Sequence, residues 1–537
     1  MLSGRAPGVF RVSHGSLAAL APLAALALVA ALTACSSGAP ASPSMQDASP
    51  VDSSMPGMDA AASDGGDDAS PIEMPSADSA TDGPVTSSDG GPGGPTPGWN
   101  LVAIDTPLRT YLDYVNVPPS GVWTPEVSGW PMLAQWEKQT TRSGMRFQSF
   151  TPGATLTPKQ ILALLPALAV ASRTLDITAA PYGAKVAPAD ATSAIQAALD
   201  AAGSMATQAS PVDVLVPAGT FNHSGVLTVP HDVRLRRWPE DSGGTLHATD
   251  QDNSSVHLAG DRSGALFLVL TIASTSRTST PASGGIWVGA ATTGVATTHE
   301  PLVVGNDTAG AHVFALAEEG GLWAFNYAHD GYADTFHHTG GSRDCQVIGN
   351  RAQTSATQGD DLYAFVGYSG DGDPVHHCAC IANWGRDGAA RGLSAVGAGF
   401  ISFQSNDIAR TQWAGVYLAQ EDGYATFGSF DIRVVGNTIA QANLMGSHAG
   451  LLAYSDSPAG TDPSATFGTL VHRVERLTIQ GNSFLDTAAG VGGGAGIEIR
   501  SSVDTGDVSG NTLTHNQTPQ LVLSGTNFTQ SNNTVAP

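Results

Sequence analysis

The sequence predicts an all-β fold, a right-handed single-stranded parallel β-helix with a capping helix at its N-terminal end. Two regularities predict it. The first is a series of short apolar segments that each close on an asparagine: Leu322 to Asn326, Cys345 to Asn350, Cys378 to Asn383, Ile401 to Asn406, Ile432 to Asn437 and Leu477 to Asn482, with weaker copies ending at Asn511 and Asn533. In the better copies the residues five and three before the asparagine are apolar, the period of a strand with one buried face. Successive asparagines lie roughly 22 to 33 residues apart, with one wider gap before Asn482, which is the length of one turn of such a coil. The second regularity is a further strand after each asparagine, opening on a small residue and then alternating: Ala333 to His337, Asp360 to Ala364, Arg391 to Ser394, Ala414 to Tyr417, Ala449 to Leu452 and Ala495 to Glu498.

A single turn cannot bury its own apolar face, but stacked turns share a continuous core, and stacked asparagine amides can hydrogen-bond along the bend. A β-propeller would repeat at about 40 residues, and a leucine-rich repeat needs a leucine framework that is missing here. Insertions follow the second strand, at Gly367 to Val375, Glu421 to Ser429 and Ser455 to Val471, so loops gather on one side of the coil, where a solenoid usually walls its binding face.

At the front, Leu175-Asp176-Ile177 and Pro181-Tyr182-Gly183-Ala184-Lys185 precede a helical pattern from Thr192 to Ala202, and Val212 to Phe221 reads as strand and turn. This entry resembles that of the pectate-lyase/polygalacturonase superfamily, the pectin-lyase-like fold, in which a short helix covers the open end of the coil. Such a cover hides core and unpaired strand edges. The resemblance runs from about Leu175 to the C-terminus and implies the fold. Before it, residues 99–174 read as an extension packed on the β-helix of 175–537, with Trp123, Trp130 and Trp136 and an apolar helical stretch from Pro158 to Ala171.

Residues 1–35 read as an export signal. Arg5 and Arg11 precede an apolar run from Leu17 to Ala31, shorter than the ~20 residues a membrane span needs. The run ends Leu32-Thr33-Ala34-Cys35, which resembles the lipobox of bacterial lipoproteins. That resemblance implies lipidation of Cys35 and a membrane anchor without a spanning helix. Ser36 after it points to the outer membrane, or else to an extracellular position. An ordinary cleavable signal with Cys35 incidental is the alternative. Residues 36–98 are mostly Asp, Ser, Pro, Gly and Ala, without Lys or Arg, and read as a disordered tether. The net charge of −24 argues against nucleic acid as a partner, because phosphate binding needs clustered cations. The expected partners are a polysaccharide and the membrane, and the expected state is a monomer.

In the strand register, Asp334, Asp361 and Arg391 fall at equivalent positions on three consecutive turns, with Asp360 beside Asp361 and His337 three residues beyond Asp334. Neighbouring rungs sit about 4.8 Å apart, so these groups form a column in which like charges raise a carboxyl pKa. A surface ion ladder that satisfies itself is the competing reading. Gly359-Asp360-Asp361 resembles the Gly-Asp-Asp motif of polygalacturonase-type glycoside hydrolases, and Ala333-Asp334 falls where that family has Asn-Thr-Asp. The resemblance implies Asp361 as general acid, Asp334 and Asp360 activating water, and no required cofactor. The family's Gly-His-Gly and Arg-Ile-Lys are absent, so the resemblance does not extend to a galacturonan substrate, and both acidic and neutral polysaccharides stay open.

A polysaccharide lyase is the rival, with Asp334, Asp360 and Asp361 holding Ca²⁺ and Arg391 as base, although arginine normally keeps its proton. A non-catalytic carbohydrate-binding or adhesive surface protein is the third reading. Tyr417, Glu421 and Glu498 lie further along the face as candidate sugar contacts. His337-His338 and His376-His377 cannot chelate as adjacent pairs on a strand, and apart from His337 they read as surface or loop residues. Cys345 and Cys378 share a register position on adjacent turns, with Cys380 two beyond, so a Cys345–Cys378 disulfide and a buried thiol stack both fit.

Overall fold

Short strands separated by left-handed residues set the shape of each turn. Leu322–Ala324 runs straight, Phe325 turns the corner at φ 58°, and Tyr327–His329 leaves in a new direction. After a loop comes Phe336–Thr339, and a second left-handed corner at Asp344 (φ 56°) returns the chain to Gln346–Ile348, one rung along. Stacked turns make three parallel sheets of 13, 12 and 11 strands. The first runs from Arg173–Asp176 to Thr526–Ser531, the second from Thr220–His223 to Thr534–Ala536, the third from Leu227–Val229 to Leu521–Leu523. The chain is a right-handed parallel β-helix, the hand that parallel crossovers take.

This computed structural model describes residues 99–100, 149–150, 152–250, 254–272, 285–289, 298–310, 312–355, 357–371, 374–445, 448–456, 473–487 and 494–537. The export signal with Cys35, the tether of 36–98, Trp123, Trp130 and Trp136, and most of the insertion from Ser455 to Val471 lie outside the described residues.

Each turn has three strands where the sequence pattern shows two. The second-sheet strands, such as Tyr327–His329, Arg351–Gln353 and Trp384–Arg386, are three residues long with only the middle residue buried. One inward residue gives no visible alternation.

The asparagines form a continuous ladder at the corner between the first two sheets. Asn326 Nδ2 donates to Asn350 Oδ1 at 2.9 Å, Asn350 to Asn383 at 3.0 Å, Asn383 to Asn406 at 3.0 Å and Asn406 to Asn437 at 2.9 Å. The ladder continues through Asn482 and Asn511 to Asn533, and it starts one turn earlier than the sequence reading has it, at Asn306. Each buried amide is saturated. Asn383, for example, also donates to the Val347 carbonyl at 2.9 Å, while its Oδ1 accepts from the Asn350 N–H at 2.8 Å. The residue before each ladder asparagine is left-handed: Gly349, Gly436, Gly481 and Gly510 reach φ near 64° without steric cost, whereas Phe325, Ala382 and Ser405 hold φ of 58°, 53° and 52° with a Cβ.

Inside the coil, like residues stack rung on rung. Val303, Trp323, Val347, Cys380, Phe403, Val434, Ile479 and Val508 form one fully buried column, and Phe336 stacks on Tyr363 at 5.2 Å between ring centroids. Helix α2 (Thr192–Gly203) covers the N-terminal end and buries Ile195, Ala198, Leu199 and Ala202 against this core. Helix α1 (Pro158–Leu164) is shorter than the apolar stretch suggests. Pro166 has no N–H to continue it, and a 3₁₀ turn, Pro166–Leu168, follows. Ile161, Leu165 and Leu168 pack on the outer face of the first sheet against Phe267, Val304 and Leu322.

The structure joins Cys345 to Cys378 as a disulfide, and Cys380 is free and buried. Three histidines read as surface or loop residues are buried instead. His338 points inward and bonds Glu318 Oε1 at 3.0 Å, and His376 and His377 face each other at 2.7 Å between Nδ1 atoms.

Replacing Asn383 with Ala strips an acceptor from two Asn350 donors and a donor from two acceptors. Denaturant unfolding of Asn383→Ala is expected to show a loss of at least about 2 kcal/mol, since each orphaned buried group costs about 1–3 kcal/mol. A loss under about 1 kcal/mol would contradict the ladder's role.

Candidate active site

The third sheet carries the acid column on its leading edge. Asp334, Asp361 and Arg391 stand two residues before the aligned strands Phe336–Thr339, Tyr363–Val366 and Leu393–Val396. Side chains tie one rung to the next: the Asp361 N–H donates to Asp334 Oδ1 and the Arg391 N–H donates to Asp361 Oδ1, both at 2.9 Å. Asp360 belongs to the adjoining column with Ala333, Ala390 and Trp413. Its N–H reaches the Ala333 carbonyl, its own carbonyl takes the Ala390 N–H, and the Trp413 N–H reaches Ala390 at 3.0 Å. One oxygen from each of Asp334, Asp360 and Asp361 lies within 4.8 Å of the others.

Their environments differ sharply. Asp334 Oδ2 is bonded to His337 Nδ1, and its side chain is 17% exposed. Burial acts to raise its pKa, but His337, the Asp361 N–H and the Arg391 charge outweigh this and hold the carboxyl below its ordinary value. Asp361 is pushed up, by burial first, although Arg391 (3.6 Å away), Ser394 and the Arg391 N–H oppose the shift. Asp360 is pushed well above the ordinary carboxylate value by burial and by the charges of Asp334 and Asp361. No hydrogen bond to its carboxylate is present among the described residues. Of the three acids, Asp360 is the one whose charged form has the least support from its surroundings.

Arg391 is locked rather than poised. Its guanidinium faces Asp361 at 3.6 Å and Glu421 at 3.5 Å and lies 4.0 Å over the Tyr417 ring. Despite burial, the acids around it raise its pKa above the ordinary arginine value. A base it is not. The tyrosine at 417 is only 1% exposed, with its hydroxyl bonded to Glu421 at 2.5 Å and to Tyr454 at 2.6 Å. It props Arg391 and offers no face to a sugar, which corrects the expectation that Tyr417 lines a subsite. Glu421 is committed to the same network. Glu498 sits two rungs beyond Tyr417 and pairs with Arg500 at 2.9 Å, away from the acids.

A calcium ion does not suit the trio. Both Asp334 oxygens are engaged by His337 and the Asp361 N–H, and both Asp361 oxygens face Arg391, so only Asp360 is uncommitted where Ca²⁺ wants six to eight oxygens.

Two insertions wall this face, and they bring residues that the strand pattern did not flag. Ser369 N–H reaches the Ala425 carbonyl at 2.8 Å and Phe427 N–H reaches Gly367 at 3.1 Å, so the loops after Val366 and Gln420 are joined. Tyr368 on the first loop is largely buried, and its phenol is raised by burial and by the charges of Asp334, Asp371 and Asp360. Asp371 is raised mainly by burial and lies near enough to feel His337. On the opposite edge Trp413 is 38% exposed, with the Arg391 guanidinium 5.0 Å from its ring and His448 5.4 Å away.

No protein-family model matches the chain, and no curated protein matches it. Among solved structures it is similar to the A-module of mannuronan C-5 epimerase AlgE6 from Azotobacter vinelandii, at 16% identity over 67% of this chain and 99% of that one, TM-score 0.47. It is also similar to the catalytic unit of a GH87 alpha-1,3-glucanase from Streptomyces thermodiastaticus (18% identity, 68% and 70% covered, TM-score 0.48). A third is the surface adhesin PfbA of Streptococcus pneumoniae, at 11% identity over 68% of this chain and 97% of that one, TM-score 0.39. At these identities the likeness is one of fold alone.

Arg391→Met leaves Asp361 and Glu421 buried without their cation. The expected loss of stability at neutral pH is about 3 kcal/mol, by denaturant unfolding, and it should shrink as acid protonates the two carboxylates. A loss independent of pH would show that packing, not charge, holds Arg391.

Proposed function

We propose that the chain hydrolyses glycosidic bonds of a polysaccharide, with Asp360 as proton donor and Asp334 as the carboxylate that activates water. The observation that carries this is the unequal setting of two neighbouring carboxyls: Asp334 is bonded to His337 and to the Asp361 N–H, while Asp360 is buried beside two acids without such partners, which pushes Asp360 up and Asp334 down. Such a split lets one carboxyl hold a proton at a pH where the other has lost it. The donor role passes from Asp361, which the sequence favours, to Asp360, because Asp361 is spent on Arg391.

In the proposed step Asp360 gives its proton to the glycosidic oxygen as the C1–O bond breaks. Water adds to C1 and loses a proton to Asp334, which His337 steadies; with oxygens of the two acids inside 4.8 Å there is no room for that water between them, so it attacks from beside the pair. With oxygens of the trio inside 4.8 Å, the proton gained by Asp334 can return to Asp360 and reset the site. Arg391, Tyr417 and Glu421 act as positioning residues. The lyase alternative loses its base, since Arg391 keeps its proton.

We also propose export and lipid anchoring through Cys35, giving a cell-envelope or extracellular enzyme. Support comes from the signal sequence and from the Cys345–Cys378 disulfide, a bond at home in oxidising compartments.

Incubating the full chain with a set of polysaccharides and measuring new reducing ends tests the reaction. Asp360→Asn and Asp334→Asn are each expected to lower kcat by about 10² or more. The rate should fall at low pH as Asp334 protonates, and its alkaline limb should lie above the ordinary carboxylate range, where Asp360 ionises. A calcium chelator should change nothing. An unsaturated product, or rates indifferent to both substitutions, would rule the proposal out. In the bacterial envelope, labelled fatty acid should attach to the wild type and not to Cys35→Ser; equal labelling of both would remove the anchor.

A further inference from the structure

The charges around the acid cluster are one-sided. Asp334, Asp360, Asp361, Asp371 and Glu421 gather at one place, and the Tyr368 phenol feels four of them. The cations within reach are engaged: Arg391 with Asp361 and Glu421, His337 with Asp334, and Arg500 further along with Glu498. Lys185 is the last lysine of the chain, so the rungs that carry the site hold none. His448 is held neutral, its pKa lowered by burial and by Arg391 to about 3.

A polyuronate brings one carboxylate per sugar. At a site this close to fixed acids, well inside a Debye length, that charge is repelled, and the basic groups beside the acids are already paired with them. An uncharged sugar, by contrast, brings no charge to be repelled, and its hydroxyls can pair with the uncommitted carboxyl of Asp360.

Trp413 supplies an independent observation. It stands in the same column as Asp360, two rungs along with Ala390 between, which places the two about 9.6 Å apart by strand spacing. Its side chain is partly exposed, with the Arg391 guanidinium over the ring and His448 tilted against it. Ala364, Ser394 and Ala390 are small, so the floor beside the acids is low. A flat exposed indole beside a low, polar floor suits the C–H face of a sugar ring.

We propose that the cleft takes an uncharged polysaccharide laid along the coil axis, with one sugar ring stacked on Trp413, and that it discriminates against polyuronates. This deepens the hydrolase reading and rests on it for the position of the acids. Neither the net charge nor the strand pattern alone leads to it; the pairing of each cation with an acid does.

The test is affinity gel electrophoresis of the full chain, wild type and Asp360→Asn, in neutral glycans (α-1,3-glucan, β-1,3-glucan, mannan, arabinan) and in two polyuronates (polygalacturonate, alginate). At least one neutral glycan should retard the protein, and neither polyuronate should. Trp413→Ala should weaken that retardation about fivefold to tenfold while Trp413→Phe restores most of it, with melting temperatures unchanged. Retardation by a polyuronate equal to or above the best neutral glycan, retardation by no glycan in the set, or indifference to Trp413→Ala overturns the proposal. A neutral glycan bound but never cut would remove hydrolysis and leave the binding preference standing.

Discussion

One interaction sets the register from the turn of Asn306 to that of Asn533: the amide of an asparagine on one turn bonded to the amide of the asparagine on the next. Each such amide spends both N–H groups and both lone pairs inside the protein, on the neighbouring ladder asparagine and on backbone atoms. A slip of one residue would break that set and push apolar side chains outward. The ladder therefore fixes register at the corner between the first two sheets, and the third inherits it.

Register then becomes electrostatics. Residues 27 and 30 positions apart in sequence, Asp334, Asp361 and Arg391, become rung neighbours linked by backbone-to-carboxylate bonds. Acids one rung apart cannot all ionise cheaply, and the fold settles the conflict unevenly. Asp334 receives His337, Asp361 receives Arg391, and Asp360 receives neither. The proposed chemistry rests on this inequality among three identical side chains; identical surroundings would have left only repulsion. The proposed preference for uncharged sugar has the same origin, because the cations beside the acids are already paired with them.

Much of this was legible in the sequence. The coil was readable because Asn326, Asn350 and their successors follow strands with inward residues two apart, a signal set by burial. Asn306 carries a similar signal in Leu302-Val303-Val304-Gly305, and only the shorter turn that follows it hides the match. The second sheet was not readable, since Ala328, Ala352 and Gly385 are single small inward residues. The acid column followed from register, but roles within it did not. Which acid holds the proton depends on where Arg391 points, and the two partners of that guanidinium come from an adjacent rung and from a loop. Trp413 sits before Ala414 as Asp360 sits before Asp361, so its column was available from the pattern; its exposure was not. Tyr417 misled because an aromatic on the outward side of a strand resembles a sugar platform until Glu421 and Tyr454 are seen to close over it.

The unequal protonation of Asp334 and Asp360 is the central claim, and carboxyl titration measures it directly. In protein labelled with ¹³C at aspartate carboxyls, with resonances assigned through Asp334→Asn and Asp360→Asn, the Asp334 signal should titrate below the ordinary aspartate range and the Asp360 signal well above it. Two signals that move together through the ordinary range, or in the reverse order, would contradict the claim.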